Sequence, residues 1–154
     1  MTRRTTAALV LAVALGGTLA TSGCSGSSDT TVAVSAGPTA SAAPTAPTAG
    51  AELGAAEFAA ALKRPGTTII DVRTPQEFAQ GHLPSAVNID VSSPDFAARL
   101  ATLDPNAPYA VYCHSGNRSG VAVAAMAGQG FTDAYHLQGG ITAWQQAGGD
   151  VVTT

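Results

Sequence analysis

The sequence predicts an α/β domain built on a central parallel sheet of about five strands, with helices on both faces. Two observations carry that class. Short apolar runs of strand length recur through residues 51–154, and stretches with helical spacing separate them, which is the alternation of a parallel sheet. The run Tyr109-Ala110-Val111-Tyr112, bounded by Pro108 and the polar loop that follows, has the composition of a strand covered on both faces.

The elements follow in order. Residues 55–62 form a short helix with Phe58 and Leu62 on one face, and Pro65-Gly66 ends it before a strand over residues 67–72. Pro75 opens a second short helix over residues 75–79, and Gly81 lies just past its end. Residues 86–89 are the next strand, and Ser93-Pro94-Asp95 caps a helix that reaches about Leu103. Pro108 precedes the strand Tyr109-Ala110-Val111-Tyr112, a polar loop runs from Cys113, and an Ala-rich helix covers residues 121–127. Residues 134–137 are a last buried strand and residues 141–147 a last helix. In such sheets ligands bind at the carboxyl ends of strands, which is where Cys113 falls.

The first 50 residues are of another kind. Arg3 and Arg4 precede an apolar run over residues 7–20, the length of a signal-peptide core and short of the roughly 20 residues that span a bilayer. The expected export leader is residues 1–23. The run ends in Thr21-Ser22-Gly23-Cys24, which is similar to a bacterial lipoprotein processing site, with Thr21 where an aliphatic residue is usual. That resemblance implies a lipid on Cys24, an anchor on the outer face of the cytoplasmic membrane, and membrane contact through that lipid only. The alternative is cleavage by ordinary signal peptidase, which leaves Cys24 a plain thiol and the protein secreted or periplasmic. Residues 24–50 are Ser, Thr, Ala, Gly and Pro with almost no charge, too poor in apolar surface to offset the entropy of ordering, and are read as a flexible linker. The globular domain is residues 51–154. It holds five basic against nine acidic residues, a net of −4, which argues against a nucleic-acid surface. Cys24 and Cys113 lie in such different settings that a disulfide is not expected, and no Cys/His group has metal-ligand spacing.

Cys113 is the candidate nucleophile. It stands where strand becomes helix, and unpartnered N–H groups at a helix start favour a thiolate, the reactive form of cysteine. Gly116 can take the positive φ that turns successive amides inward as an anion cradle. Four residues separate Cys113 from Arg118. A tyrosine-phosphatase loop carries five in that place and surrounds a larger, tetrahedral anion.

The segment Cys113-His114-Ser115-Gly116-Asn117-Arg118-Ser119 resembles the active loop of rhodanese-type sulfurtransferases. Ile69-Ile70-Asp71-Val72-Arg73, continuing to Phe78, and Gly81-His82-Leu83-Pro84, continuing to Ile89, are similar to the family's amino-terminal signature, and Leu137-Gln138-Gly139-Gly140, continuing to Trp144, to its carboxy-terminal one. The resemblance implies a single rhodanese-like domain and a Cys113 that carries transferable sulfur as a covalent persulfide, with no other cofactor and no metal. It implies a small sulfur donor such as thiosulfate, a thiol or cyanide acceptor, and a protein acceptor as a further partner. Residues His114, Ser115, Gly116, Asn117, Arg118 and Ser119 would form the substrate cradle through their amides, with Arg118 orienting an anionic donor and Ser115 and Asn117 shaping the loop. Asp71 and Arg73 are expected to brace that loop or to pair with Glu77, while His82, His136 and Trp144 are read as structural. Three other functions stay open: a sulfur-carrier or regulatory module with little turnover, a cysteine phosphatase or arsenate reductase, and an oxidant sensor, for which a resolving cysteine is lacking.

Overall fold

Residues 45–153 are described by the computed structural model, so the leader, Cys24 and most of the linker lie outside the described residues. The elements alternate as the sequence predicts: β1 (Glu52–Leu53), α1 (Ala55–Ala61), β2 (Thr68–Asp71), α2 (Pro75–Gln80), β3 (Val87–Asn88), α3 (Phe96–Leu100), β4 (Tyr109–Tyr112), α4 (Asn117–Gly128), β5 (Ala134–Leu137) and α5 (Gly140–Gln146). They form one sheet in the order β1-β5-β4-β2-β3, and every pairing is parallel.

Strand periodicity divides the core between the two faces. In β4, Tyr109 and Val111 point to one side and Ala110 and Tyr112 to the other, and all four are buried. On the first side they meet Phe96 and Leu100 of α3 and Ala122, Val123 and Met126 of α4. On the second, Phe58 of α1 packs edge-on against Tyr135 of β5 and Trp144 of α5. Cys113 continues the count from Val111 and points to the α3/α4 side. A central strand buried on both faces thus holds Cys113 just past its end on a rigid support.

Three boundaries differ from expectation. β1 was not foreseen, because two residues carry no periodicity; it exists because β5 offers it a partner, with Glu52 beside His136 and Leu53 beside Leu137. Helix α3 stops at Leu100 instead of Leu103, and the Thr102 hydroxyl donates to the Arg99 carbonyl oxygen at 2.7 Å in the turn that follows. Helix α4 starts at Asn117, four residues before the Ala-rich stretch, so Arg118 and Ser119 belong to its first turn and not to a loop.

Candidate active site

The loop between β4 and α4 is made by Gly116. Its φ of 98° lies in the left-handed region, and a Cβ there would meet the Gly139 amide nitrogen at 3.2 Å. The turn aims amides back at the cysteine: the Gly116 N–H donates to Cys113 Sγ at 3.1 Å. The α5 start closes on the same loop. Ile141 N–H donates to the Cys113 carbonyl oxygen at 2.8 Å and the Thr142 hydroxyl to the His114 carbonyl oxygen at 3.1 Å. Gly140, at φ 59°, is required for that approach, because any Cβ would collide with the Cys113 and His114 backbone.

Cys113 is fully buried, and burial pushes its thiol pKa up. The Ser119 hydroxyl and the N–H groups of Ser119, Ser115 and Gly116 act in the opposite direction and win, so the thiol is more acidic than a free cysteine. Of residues 114–119, the Gly116 N–H is the group hydrogen-bonded to the sulfur, and the Ser119 hydroxyl with the Ser115 and Ser119 N–H groups adds to the lowering of the thiol pKa. The side chains of His114, Ser115 and Asn117 are exposed.

Two arginine–carboxylate pairs frame the site. Arg73 is buried and doubly bound to Asp71, from Nε at 3.0 Å and from the terminal nitrogen at 2.6 Å, and it also donates to the Gly81 carbonyl oxygen at 2.6 Å. Its guanidinium lies 5.7 Å from the centre of the Tyr112 ring. Arg73 thus pairs with Asp71 and not with Glu77, and the two tie the end of β2 to α2 and to the strand that bears Cys113. Glu77 instead holds Arg118, through contacts of 2.8 and 2.7 Å. The same carboxylate caps α2, accepting from the Thr74 N–H at 3.1 Å while Thr74 Oγ1 accepts from the Glu77 N–H at 3.3 Å. The Arg118 guanidinium, assisted by Thr74 and opposed by partial burial, pushes the Glu77 pKa down to about 2.

Beside the loop a polar hollow of about 250 Å³ is lined by Arg73, Glu77, Gln80, His114, Ile141 and Gln145. A larger one, of about 550 Å³, runs along α3 and contains no residue of the cysteine loop. Glu77 was missed as a partner of Arg118, although Thr74-Pro75-Gln76-Glu77 has the spacing of a capping box. His136, whose Nδ1 lies 3.4 Å from Ser119 Oγ, was read as structural and sits against the cradle.

The domain is a parallel α/β sheet that presents, at the end of its central strand and the start of α4, a buried cysteine with a lowered pKa. The chain belongs to the rhodanese-like family: the Rhodanese-like domain model matches residues 54–147. The thiosulfate sulfurtransferase GlpE of Pseudomonas syringae is 42% identical over 89 residues, which cover 58% of this chain and 82% of that protein. The GlpE of Pseudomonas aeruginosa is 41% identical over 91 residues, covering 59% and 81%. Among solved structures, a rhodanese-related protein of Thermoplasma volcanium superposes with a TM-score of 0.60 at 31% identity, over 68% of this chain and 99% of that one. A Rhodopseudomonas palustris protein described as a possible tyrosine phosphatase does so with 0.54 at 28%, over 66% and 84%.

Proposed function

We propose that the protein is a sulfurtransferase that moves sulfane sulfur from a donor such as thiosulfate to a thiophilic acceptor through a persulfide on Cys113. The observation that carries this reading is a buried cysteine sulfur at the start of α4 that accepts the Gly116 N–H at 3.1 Å, its thiol pKa lowered by the Ser119 hydroxyl and the neighbouring N–H groups. The relatives named thiosulfate sulfurtransferase support it. In the first half-reaction the Cys113 thiolate forms a bond to the outer sulfur of thiosulfate, the sulfur–sulfur bond of the donor breaks, and sulfite leaves with its electron pair. The resulting persulfide anion keeps the single negative charge within the amide ring. In the second, cyanide or a thiolate attacks the outer sulfur and the Cys113 thiolate is released. Arg118 orients the anionic donor, and the polar hollow beside His114 admits the acceptor.

Intact mass tests the proposal. The purified chain should gain one sulfur atom on Cys113 with thiosulfate and lose it to cyanide, and Cys113→Ser should abolish both while the fold survives. Uptake of sulfur by Cys113→Ser, or none by the parent chain with any sulfane donor, would refute it. A sulfur-carrier or regulatory module is the second reading, favoured by the carboxylate partner on each arginine of the site, which leaves little net positive charge to draw in a dianion. Such a module would load one sulfur per chain and turn over slowly with small acceptors. The phosphatase alternative is opposed by the four-residue spacing and is checked by release of nitrophenol from a phosphoester. Export and attachment through a lipid on Cys24 belong to the same reading, supported by the basic start, the apolar run and the position of that cysteine. Labelled palmitate should be incorporated by the parent chain in bacteria and not by Cys24→Ala.

A further inference from the structure

Behind the cradle residue Ser119 stands a half-buried histidine, His136, to which the sulfur chemistry above gives no part. Ser119 is fully buried, and its hydroxyl has one hydrogen and three claimants. It donates to the Gly116 carbonyl oxygen at 2.9 Å, it helps to lower the Cys113 pKa, and its oxygen lies 3.4 Å from Nδ1 of His136. His136 reaches that point from β5. Glu52 of β1 and Val111 of β4 are its register neighbours in the sheet. From α4, Gly120 faces the ring, and a Cβ at that glycine would sit 3.5 Å from Cε1. Glu52 is therefore the charged group that faces the imidazole, and the Ser119 hydroxyl is the polar group in contact with it.

The position of the imidazole hydrogen decides what Ser119 can do. With its hydrogen on Nε2, a neutral ring accepts at Nδ1 and draws the hydroxyl hydrogen away from sulfur. With its hydrogen on Nδ1, the ring donates to the hydroxyl oxygen and leaves the hydroxyl hydrogen to rotate from the Gly116 carbonyl oxygen to the sulfur as the thiolate forms. We propose that His136 is a positioning residue for Cys113: as the Nδ1–H tautomer it donates to Ser119 and turns the one hydroxyl hydrogen onto the thiolate. Burial lowers the His136 pKa and Glu52 raises it by less, so the ring works as a neutral imidazole at physiological pH. The coupling is reciprocal, since whatever the ring does for the thiolate the thiolate does for the ring's Nδ1–H. The inference rests on Cys113 being the reacting sulfur of the proposed function and on no particular donor.

The test reads the thiol without any sulfur donor. The full chain is alkylated with iodoacetamide from about pH 5 to pH 9, the range in which cysteine thiolates form, and the rate is followed on the peptide that carries Cys113, which excludes Cys24. His136→Phe keeps a ring without nitrogens and should raise the midpoint by on the order of half a pH unit, about a threefold loss of thiolate below the midpoint. His136→Asn, whose amide can donate from near the Nδ1 position, should recover most of that shift. In a Ser119→Ala chain the midpoint should already be raised, and adding His136→Phe should change nothing further. Nitrogen-15 spectra of the parent chain should show the neutral His136 protonated on Nδ1, a result that holds even if a ring variant fails to fold. An unchanged midpoint in His136→Phe, an equal shift with and without Ser119, or a ring protonated on Nε2 would each overturn the proposal. A chain that takes up no sulfur yet shows the coupled shifts would refute the transferase reading and leave this one standing.

Discussion

The two arginine–carboxylate pairs beside Cys113 use the same chemistry in opposite environments. The Arg73–Asp71 pair has side-chain exposures of 6% and 0%, and the Arg118–Glu77 pair has 37% and 30%. Burial makes the first pair costly to assemble and more costly to break, since removing one partner strands a charge in the interior. Exposure makes the second cheap to break, because solvent screens it. Its effect is on charge beside the polar hollow, where the Glu77 carboxylate compensates Arg118. The fold thus keeps a buried pair that ties strands and helices together and a half-exposed pair that joins α2 to α4.

That contrast predicts a large difference in stability. Arg73→Met keeps the apolar stem but leaves the Asp71 carboxylate buried without its partner, and it should lower the free energy of unfolding by about 3–5 kcal/mol. Glu77→Gln preserves the capping box of α2 and should cost less than about 1 kcal/mol. Urea unfolding of both variants checks this. Equal losses would mean that the two pairs do not differ in kind.

The difference also marks how far the sequence could be read. β2, β4 and β5 were legible because each is a short run rich in β-branched, aromatic or aliphatic residues bounded by turn residues, and β4 is in addition buried at all four positions. Cys113 was legible because it follows such a run. The start of α4 was not, since Ser115-Gly116-Asn117 has the composition of a loop; only the left-handed Gly116 lets the helix begin directly after it. Arg118 and Glu77 lie 41 residues apart, and their pairing follows from α2 and α4 meeting in space, which no local pattern records. The contact of Ser119 with His136 is of the same kind, a product of α4 lying over β5.

A second prediction concerns the donor. Glu77→Gln frees the Arg118 guanidinium, so a dianion such as thiosulfate should bind more tightly, on the order of fivefold in KM for a pair worth about 1 kcal/mol. The dependence of KM on added salt should steepen as well, because an uncompensated charge is the one that salt screens. An unchanged KM and salt slope would mean that Arg118 does not meet the donor and serves only to join α2 to α4.

The smallest effect is the pH dependence of the exposed pair. The folded-state pKa of Glu77 is lowered from 4.5 to about 2, chiefly by Arg118. A carboxylate whose pKa is depressed on folding contributes its stability above the unfolded value and loses it as pH falls towards the folded value. The contribution is therefore complete above about pH 4.5 and lost on descent to about pH 2, and screening of two partly exposed side chains keeps it below about 1 kcal/mol. Other carboxylates titrate in the same window, so the informative quantity is the stability gap between the parent chain and Glu77→Gln. That gap should be constant from about pH 7 to pH 5 and shrink as the pH is lowered further. A gap that stays constant into acid would mean that the Glu77 pKa is not lowered on folding and that the pair with Arg118 adds nothing to stability, because Gln does not titrate.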